Sequence, residues 1–286
     1  MMARMHGRHD GFLADQWGWQ AAVVFATAVC GFGLVVSSLG SFGPQLNLSV
    51  PKLHLAIGST LGLAIVAALL PAIFCLVFFV RARESLKQVN APWDVYLIAI
   101  GLGFAIPFMS YFGSHYASFP WSYASRITLG RVFVLNLLLS PLWEEIIWRG
   151  CFLSELTTFI SRPKAIAVSS VAWTFWHGGY LTFLYSRGIP GKLLFVLSLT
   201  YFCAGIILGS VFEMGRESLW PCVLMHAAFN ASTAVYYTSY DRALELGSYV
   251  AEFVAALVVA GLLYRFTIVR LRSGRWPRPD TSAAWP

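Results

Sequence analysis

Two adjacent glutamates and an arginine stand in an otherwise apolar stretch, LSPLWEEIIWRGCF, which runs from Leu139 to Phe152. Glu145 and Arg149 are four residues apart, so on an α-helix they share a face and can form an ion pair. Glu144 lies about 140° around the helix from Arg149 and is free to face a pocket. A carboxylate in a wet cleft can act as a general base toward water. The alternative for Glu145 and Arg149 is an ion pair that only fixes helix packing.

A histidine follows in a later apolar segment, AWTFWHGGY. His177 comes about 20 Å along a helix from Lys164, at the rise expected for an α-helix. Trp173, four residues before His177, would share its face. A single histidine in an apolar helix is also compatible with a core residue whose hydrogen bonds are satisfied.

A second histidine and an asparagine, His226 and Asn230, are four residues apart in WPCVLMHAAFNA. On one helical face they could donate two hydrogen bonds to one point, which is what a developing oxyanion requires. The alternative is a polar pair that joins two helices in the membrane. A carboxylate, a histidine and two donors on three segments at similar depth are the parts of a site that hydrolyses with activated water.

The composition predicts that these segments cross a membrane. Of the 286 residues, 58% are hydrophobic and 12% are charged, whereas about 25% charged residues are usual in a soluble domain. We therefore expect an all-α, polytopic membrane helical bundle with about eight transmembrane helices, since a span takes about 20 apolar residues. The predicted spans are Trp17–Leu39, Leu53–Val80, Trp93–Gly113, Ile127–Arg149, Ala165–Tyr185, Leu193–Phe212, Leu219–Tyr240 and Leu246–Val269. Pro141 predicts a kink in the fourth, which could continue as a helix to about Thr158.

The charge distribution predicts the orientation. Most Lys and Arg residues fall on one side of these spans. The positive-inside rule then predicts a protein of the cell (inner) membrane with both termini on the cytoplasmic side. The net charge of +7 lies in loops and the tail, which suggests contact with anionic lipid headgroups and not with nucleic acid. The five cysteines lie in apolar runs without a CxxC pair and are typical of core residues.

The predicted spans and motifs divide the chain into five parts. They are a cytoplasmic N-terminal segment (1–16), transmembrane helices without a recognised motif (17–125), a helical core with the candidate site (126–240), a last transmembrane helix (241–270) and a cytoplasmic, disordered tail (271–286).

The order of the motifs resembles the CAAX prenyl endopeptidase and bacteriocin-processing family (CPBP, also called Abi). The shared features are Glu-Glu-x-x-x-Arg, a histidine on the next helix, and His-x-x-x-Asn two helices later. The glycine-bearing helix, short loop and Leu-Trp step of GIILGSVFEMGRESLWPCVLMHAAFN are similar to the family as well, so that the resemblance covers about Leu137 to Ala231. One departure is Trp173, where the family usually has phenylalanine.

The resemblance implies a glutamate-dependent intramembrane endopeptidase. Glu144 would activate the attacking water together with His177, and His226 and Asn230 would form the oxyanion hole. Glu145 and Arg149 would hold the site in shape, and Trp173 would be a further supporting residue. The substrate would be a membrane-embedded, membrane-anchored or lipid-modified protein or peptide.

Several alternatives stay open. Two histidines and a glutamate are also a plausible zinc set, but neither histidine belongs to a His-Glu-x-x-His pair and asparagine is a poor zinc ligand, so we expect no metal. The chain could also be a non-catalytic scaffold or bacteriocin-immunity protein of the same fold. A proton-coupled transporter is the third possibility, although no repeat relates the two halves. Arg131 and Glu252 are expected in structural roles, with Glu252 pairing with Arg242 or Arg131 or lining a substrate path.

Overall fold

The computed structural model describes Val29 and residues 60–114, 123–138, 140–186, 188–239 and 246–273. This part of the chain is helical throughout and contains no strand, which confirms the predicted all-α class for it. The elements in chain order are α1 (Thr60–Phe78), α2 (Val80–Lys87), α3 (Trp93–Ser114), α4 (Tyr123–Leu138), α5 (Ser140–Glu145), a π-helix (Ile146–Leu153), α6 (Ser154–Phe159), α7 (Arg162–Trp176), α8 (Gly178–Ser186), α9 (Gly191–Met214), α10 (Trp220–Ser239) and α11 (Leu246–Arg272).

Among the described residues, two helices are long and apolar enough to cross a bilayer: α9, and Tyr249–Leu271 within α11. Shorter apolar stretches lie in α1 and α3, at Ala68–Phe78 and Trp93–Met109. The predicted first span, Trp17–Leu39, lies outside the described residues except for Val29, as does the predicted tail beyond residue 273. Eight crossings therefore remain a prediction.

The predicted fourth span is not one continuous α-helix. It comprises α4 and α5, with residue 139 between them outside the described part, and Pro141 is the second residue of α5, where its missing N–H needs no helical partner. After Glu145 the backbone becomes π-helical, and the N–H of Ser154 bonds to the carbonyl of Arg149, five residues earlier. Periodicity of apolar residues predicts an α-helix here and cannot detect this wider winding, which often occurs at functional sites.

The predicted fifth span is also interrupted. Helix α7 ends at Trp176, and α8 starts at Gly178. His177 stands at the junction with φ −71° and ψ −8°, and its N–H bonds to the carbonyls of Trp173 and Thr174. The prediction of an unbroken helix was wrong at this point because the Gly-Gly pair after the histidine lets the chain end one helix and start another.

Close helix packing positions the two histidine-bearing helices. Helix α10 packs against α3 and α4, and α7 packs against α9. A Cβ atom at Gly103 of α3 would come within 2.7 Å of the Cβ of Ala228 on α10, and one at Gly205 of α9 would come within 2.8 Å of the Cβ of Ser170 on α7. Only glycine allows these backbones to approach so closely.

A tight turn between α9 and α10 is joined to α2. Arg216 and Glu217 have positive φ angles of 58° and 65° in this turn. Three hydrogen bonds connect the turn and the start of α10 to the end of α2: Leu219 N–H to Ser85 O (3.2 Å), Ser218 Oγ to Gln88 O, and Trp220 Nε1 to Leu86 O (2.9 Å). The helix that carries His226 is therefore fixed by a segment far earlier in the chain.

The same turn is joined to α7 by ion pairs. Arg162, at the start of α7, binds Glu213 of α9 through Nη1 and Glu217 of the turn through Nη2, the latter at 2.6 Å. One guanidinium thus connects α7, α9 and the turn before α10, the three elements around the two histidines.

Candidate active site

Glu144 is the last residue but one of α5, and only 4% of it is exposed. Ser140 Oγ, one turn earlier, donates a hydrogen bond to Oε1. Trp173 Nε1, on α7, donates to Oε2 at 3.3 Å. Donors from two different helices therefore fix the orientation of this carboxylate, while each oxygen keeps a second lone pair for another partner.

Glu145 and Arg149 form the predicted ion pair, with Arg149 Nη1 3.1 Å from Glu145 Oε1. Both side chains are buried, at 0% and 1% exposure. Arg149 Nη2 also donates to the carbonyl of Gly205 at 3.4 Å. The buried positive charge is therefore matched by one carboxylate and one carbonyl dipole, as a charge in low dielectric requires.

His226 joins this pair from α10. Its Nδ1 lies 2.8 Å from Glu145 Oε1, the oxygen that also binds Arg149. With Glu145 charged, its oxygens only accept, so Nδ1 of His226 carries the proton of this bond. The other ring nitrogen, Nε2, accepts a hydrogen bond in the neutral ring and donates one only in the imidazolium form.

His177 is partly exposed and is held by its own helix. Its Nδ1 lies 2.9 Å from the carbonyl oxygen of Trp173. A carbonyl can only accept, so Nδ1 bears the hydrogen and Nε2 of the neutral ring has a free lone pair. The ring stacks on Tyr201 of α9, with centroids 4.1 Å apart and an angle of 28° between the planes.

Trp173 contacts four of the predicted site residues and is 3% exposed. Besides its bond to Glu144, its ring lies 4.9 Å from the Cζ atom of Arg149. Its ring centroid is 4.5 Å from that of His177 and 5.8 Å from that of His226, both with edge-to-face geometry. The indole therefore lies between the acidic pair and both histidines.

Asn230 is the predicted site residue with the least support from contacts. It lies one turn after His226 on α10 and is partly exposed. In the described part of the chain it forms no hydrogen bond with another site residue, so its relation to His226 rests on their shared helical face.

Two residues near the site, Ser140 and Tyr201, were not predicted to belong to it, and a third, Glu252, was expected in a structural role or along a substrate path. Ser140 stands four residues before Glu144, a spacing that could have indicated the contact. No spacing in the sequence relates Tyr201 to His177, because only the packing of the helices brings the two rings together. Glu252, on α11, is 5% exposed. Glu252 and Glu144 both lie within electrostatic range of Tyr201.

The predicted partners of Glu252 are not seen in the described residues. Arg131 is exposed on α4 and forms no ion pair with Glu252 there. Arg242 lies outside the described residues.

The described residues contain no group of three or more His, Cys, Asp or Glu side chains arranged to hold a metal ion. The absence of a metal cofactor stays a prediction.

Residues 127–232 match the family model described as type II CAAX prenyl endopeptidase, Rce1-like. The matched range contains all seven predicted site residues: Glu144, Glu145, Arg149, Trp173, His177, His226 and Asn230. No curated protein matches the chain. For residues 127–232, this match supports the CPBP/CAAX protease family.

Proposed function

We propose that this chain is an intramembrane endopeptidase that cleaves a peptide bond in a membrane-embedded, membrane-anchored or lipid-modified protein or peptide. The observation that carries the proposal is the convergence of three helices. Trp173 Nε1 contacts Glu144 at 3.3 Å, and His226 contacts Glu145 at 2.8 Å. The acidic pair of α5 thus meets the last turn of α7, which precedes His177, and the first half of α10, which carries His226.

Glu144 and His177 activate the attacking water. The Nε2 lone pair of His177 and a free lone pair of Glu144 can each accept one hydrogen of the water. Glu144 takes a proton as the oxygen attacks the scissile carbonyl carbon, and then returns it to the amine as the C–N bond breaks. One water is consumed, and one carboxylic acid and one amine are formed.

His226 and Asn230 stabilise the oxyanion of the tetrahedral intermediate. Because Nδ1–H of His226 is directed to Glu145, Nε2 can donate to the oxyanion only when the ring is an imidazolium. Glu145 then supplies the balancing negative charge, as the buried carboxylate of a catalytic triad does for its histidine. Arg149 holds Glu145 in place through their ion pair, and the amide of Asn230 is the second donor.

We also propose a location in the membrane, the partners and the absence of a metal cofactor. The chain is a multi-pass protein of the cell (inner) membrane with both termini cytoplasmic, as the charge distribution favours. Its partners are the lipid bilayer and the peptide substrate. We propose that no metal takes part, because Asn230 is a poor zinc ligand. The alternative is a zinc ion at the site.

The experiment compares peptides from cells that carry the wild-type protein with those from cells that carry Glu144→Ala. Membrane and secreted peptides are measured by mass spectrometry. We expect shortened peptides only with the wild type. Glu84→Ala, at an exposed glutamate of α2, is the matched control and should give the wild-type profile. Identical profiles from equally expressed proteins, with Glu144→Ala still complementing the cell, would replace the peptidase by a non-catalytic scaffold or immunity protein.

A further inference from the structure

Helix α11 follows the matched residues 127–232 and carries a charged residue on its inner face. This helix packs against α9 and α3. Buried residues recur every three or four positions along it: Tyr249, Glu252, Ala256 and Ala260. Exposed apolar residues occupy the other faces: Val250, Val254, Leu257, Val258 and Leu262. The glutamate is therefore directed toward the protein interior and not toward lipid.

Tyr201 connects this glutamate with the candidate active site. Its ring stacks on His177 with centroids 4.1 Å apart. Tyr201 also lies within electrostatic range of two carboxylates, Glu252 and Glu144. Glu252 thus lies within electrostatic range of the end of the site at which His177 and Tyr201 meet, on a helix that packs against α9 and lies outside the matched range.

The two buried acids differ in how their charge is compensated. Glu145 is fully buried and is matched by Arg149 at 3.1 Å. No hydrogen bond or ion pair reaches the Glu252 carboxylate from any residue that the structure describes. A carboxylate in low dielectric is costly unless a cation or donors accompany it. The Glu252 residue is buried, with 5% exposure.

We infer that Glu252, on the face of α11 that packs toward α9 and Tyr201, forms a subsite for a positively charged group of the peptide substrate, the side chain of a lysine or arginine near the scissile bond. The inference rests on the proposed function, because it names the substrate chemistry of the same site. A lysine or arginine would supply the missing counter-charge, and the tyrosine ring offers a face to a cation. A neutral apolar side chain at that position would leave the carboxylate uncompensated.

Binding tests the subsite without any cleavage. The full chain with Glu144→Gln, in lipid nanodiscs, is titrated with fluorescent peptides that share one apolar anchor and carry either lysine or norleucine at one scanned position. We expect the lysine peptide to bind at least about tenfold more tightly at one position. Adding Glu252→Gln should reduce this ratio to near one, whereas adding Glu84→Gln, at an exposed glutamate, should leave it intact. Equal binding of both peptides at every position overturns the subsite.

Cleavage separates the subsite from the proposed function. For wild type we expect kcat/KM to favour lysine over norleucine at the position found by binding, and Glu252→Lys should instead favour a glutamate peptide. Hydrolysis that depends on Glu144 but has the same ratio in Glu252→Gln would overturn the subsite and keep the peptidase. A binding preference that depends on Glu252, without hydrolysis of the bound peptides by wild type, would keep the subsite and count against the peptidase.

A variant at Arg242 is the remaining control, because Glu252 could instead form an internal ion pair with Arg242. In the full chain, Arg242→Gln should leave the lysine-to-norleucine binding ratio unchanged if the subsite takes the substrate's cation. If Arg242→Gln and Glu252→Gln instead lower thermal stability equally, and neither changes the ratio, Glu252 serves an internal pair and the inference is wrong.

Discussion

His226 Nδ1 lies 2.8 Å from Glu145 Oε1, although 81 residues separate the two along the chain. The same oxygen binds Arg149 at 3.1 Å. One carboxylate oxygen therefore orients the histidine and compensates the arginine together. A change at any of the three residues should alter the environment of the other two, which makes their effects non-additive.

We expect Arg149→Met to destabilise the protein by about 3–5 kcal/mol, because it leaves the buried Glu145 charge without its cation. Adding Glu145→Gln removes that charge, so the double variant should be more stable than Arg149→Met alone. Unfolding in a denaturing detergent titration measures both. A double variant whose loss equals the sum of the single losses would contradict the coupling.

Trp173→Phe keeps an aromatic ring and removes only the Nε1 donor to Glu144. A hydrogen bond to a charged group contributes about 1.5–3 kcal/mol, so we expect kcat to fall by about 10- to 100-fold. KM should change little, because the indole nitrogen contacts the carboxylate and not the substrate. Trp173→Ala, which also removes the ring between the histidines, should cause a larger loss and lower stability. Full activity of Trp173→Phe would show that the bond to Glu144 is dispensable.

Gly103→Ala should destabilise the protein by about 1–3 kcal/mol, the usual effect of overpacking. The new methyl group would lie within 2.7 Å of the Cβ of Ala228 and would separate α3 from α10. Gly101→Ala is the matched control on the same helix, since nothing lies within 4 Å of its Cβ position. Because alanine favours helix by about 1 kcal/mol over glycine, the control should be neutral or stabilising. Thermal unfolding of both variants measures the difference, and equal effects would contradict the close packing.

Peptidase activity should survive a strong chelator. The proposed mechanism derives its base from Glu144 and its donors from His226 and Asn230, so no step requires a metal ion. The test is the cleavage rate before and after exhaustive chelation, with metal content measured on the same sample. Loss of activity that zinc restores would establish the zinc alternative.

Local spacing predicted the parts of the site that belong to single helices. Glu145 and Arg149, four residues apart, form the expected ion pair, and Trp173 contacts His177 as their spacing indicated. The same spacing also relates Ser140 to Glu144, four residues later, and this contact is local to one helix.

Contacts between helices could not be predicted in the same way. The bond from Trp173 to Glu144 and the stacking of Tyr201 on His177 depend on how α5, α7 and α9 pack. Spacing within one helix contains no information about that packing. The π-helix after Glu145 was missed for a different reason, since its residues have the same apolar character as an α-helical span.

The turn before α10 has a consequence for how this domain can be inherited. Ser218, Leu219 and Trp220 donate hydrogen bonds to the end of α2, and Gly103 of α3 packs against α10. Both α2 and α3 precede residues 127–232. A gene fragment limited to that range would encode every proposed catalytic group but not the elements that hold His226. The smallest unit that evolution could transfer intact, or that protein engineers could graft, must therefore begin upstream, at or before α2.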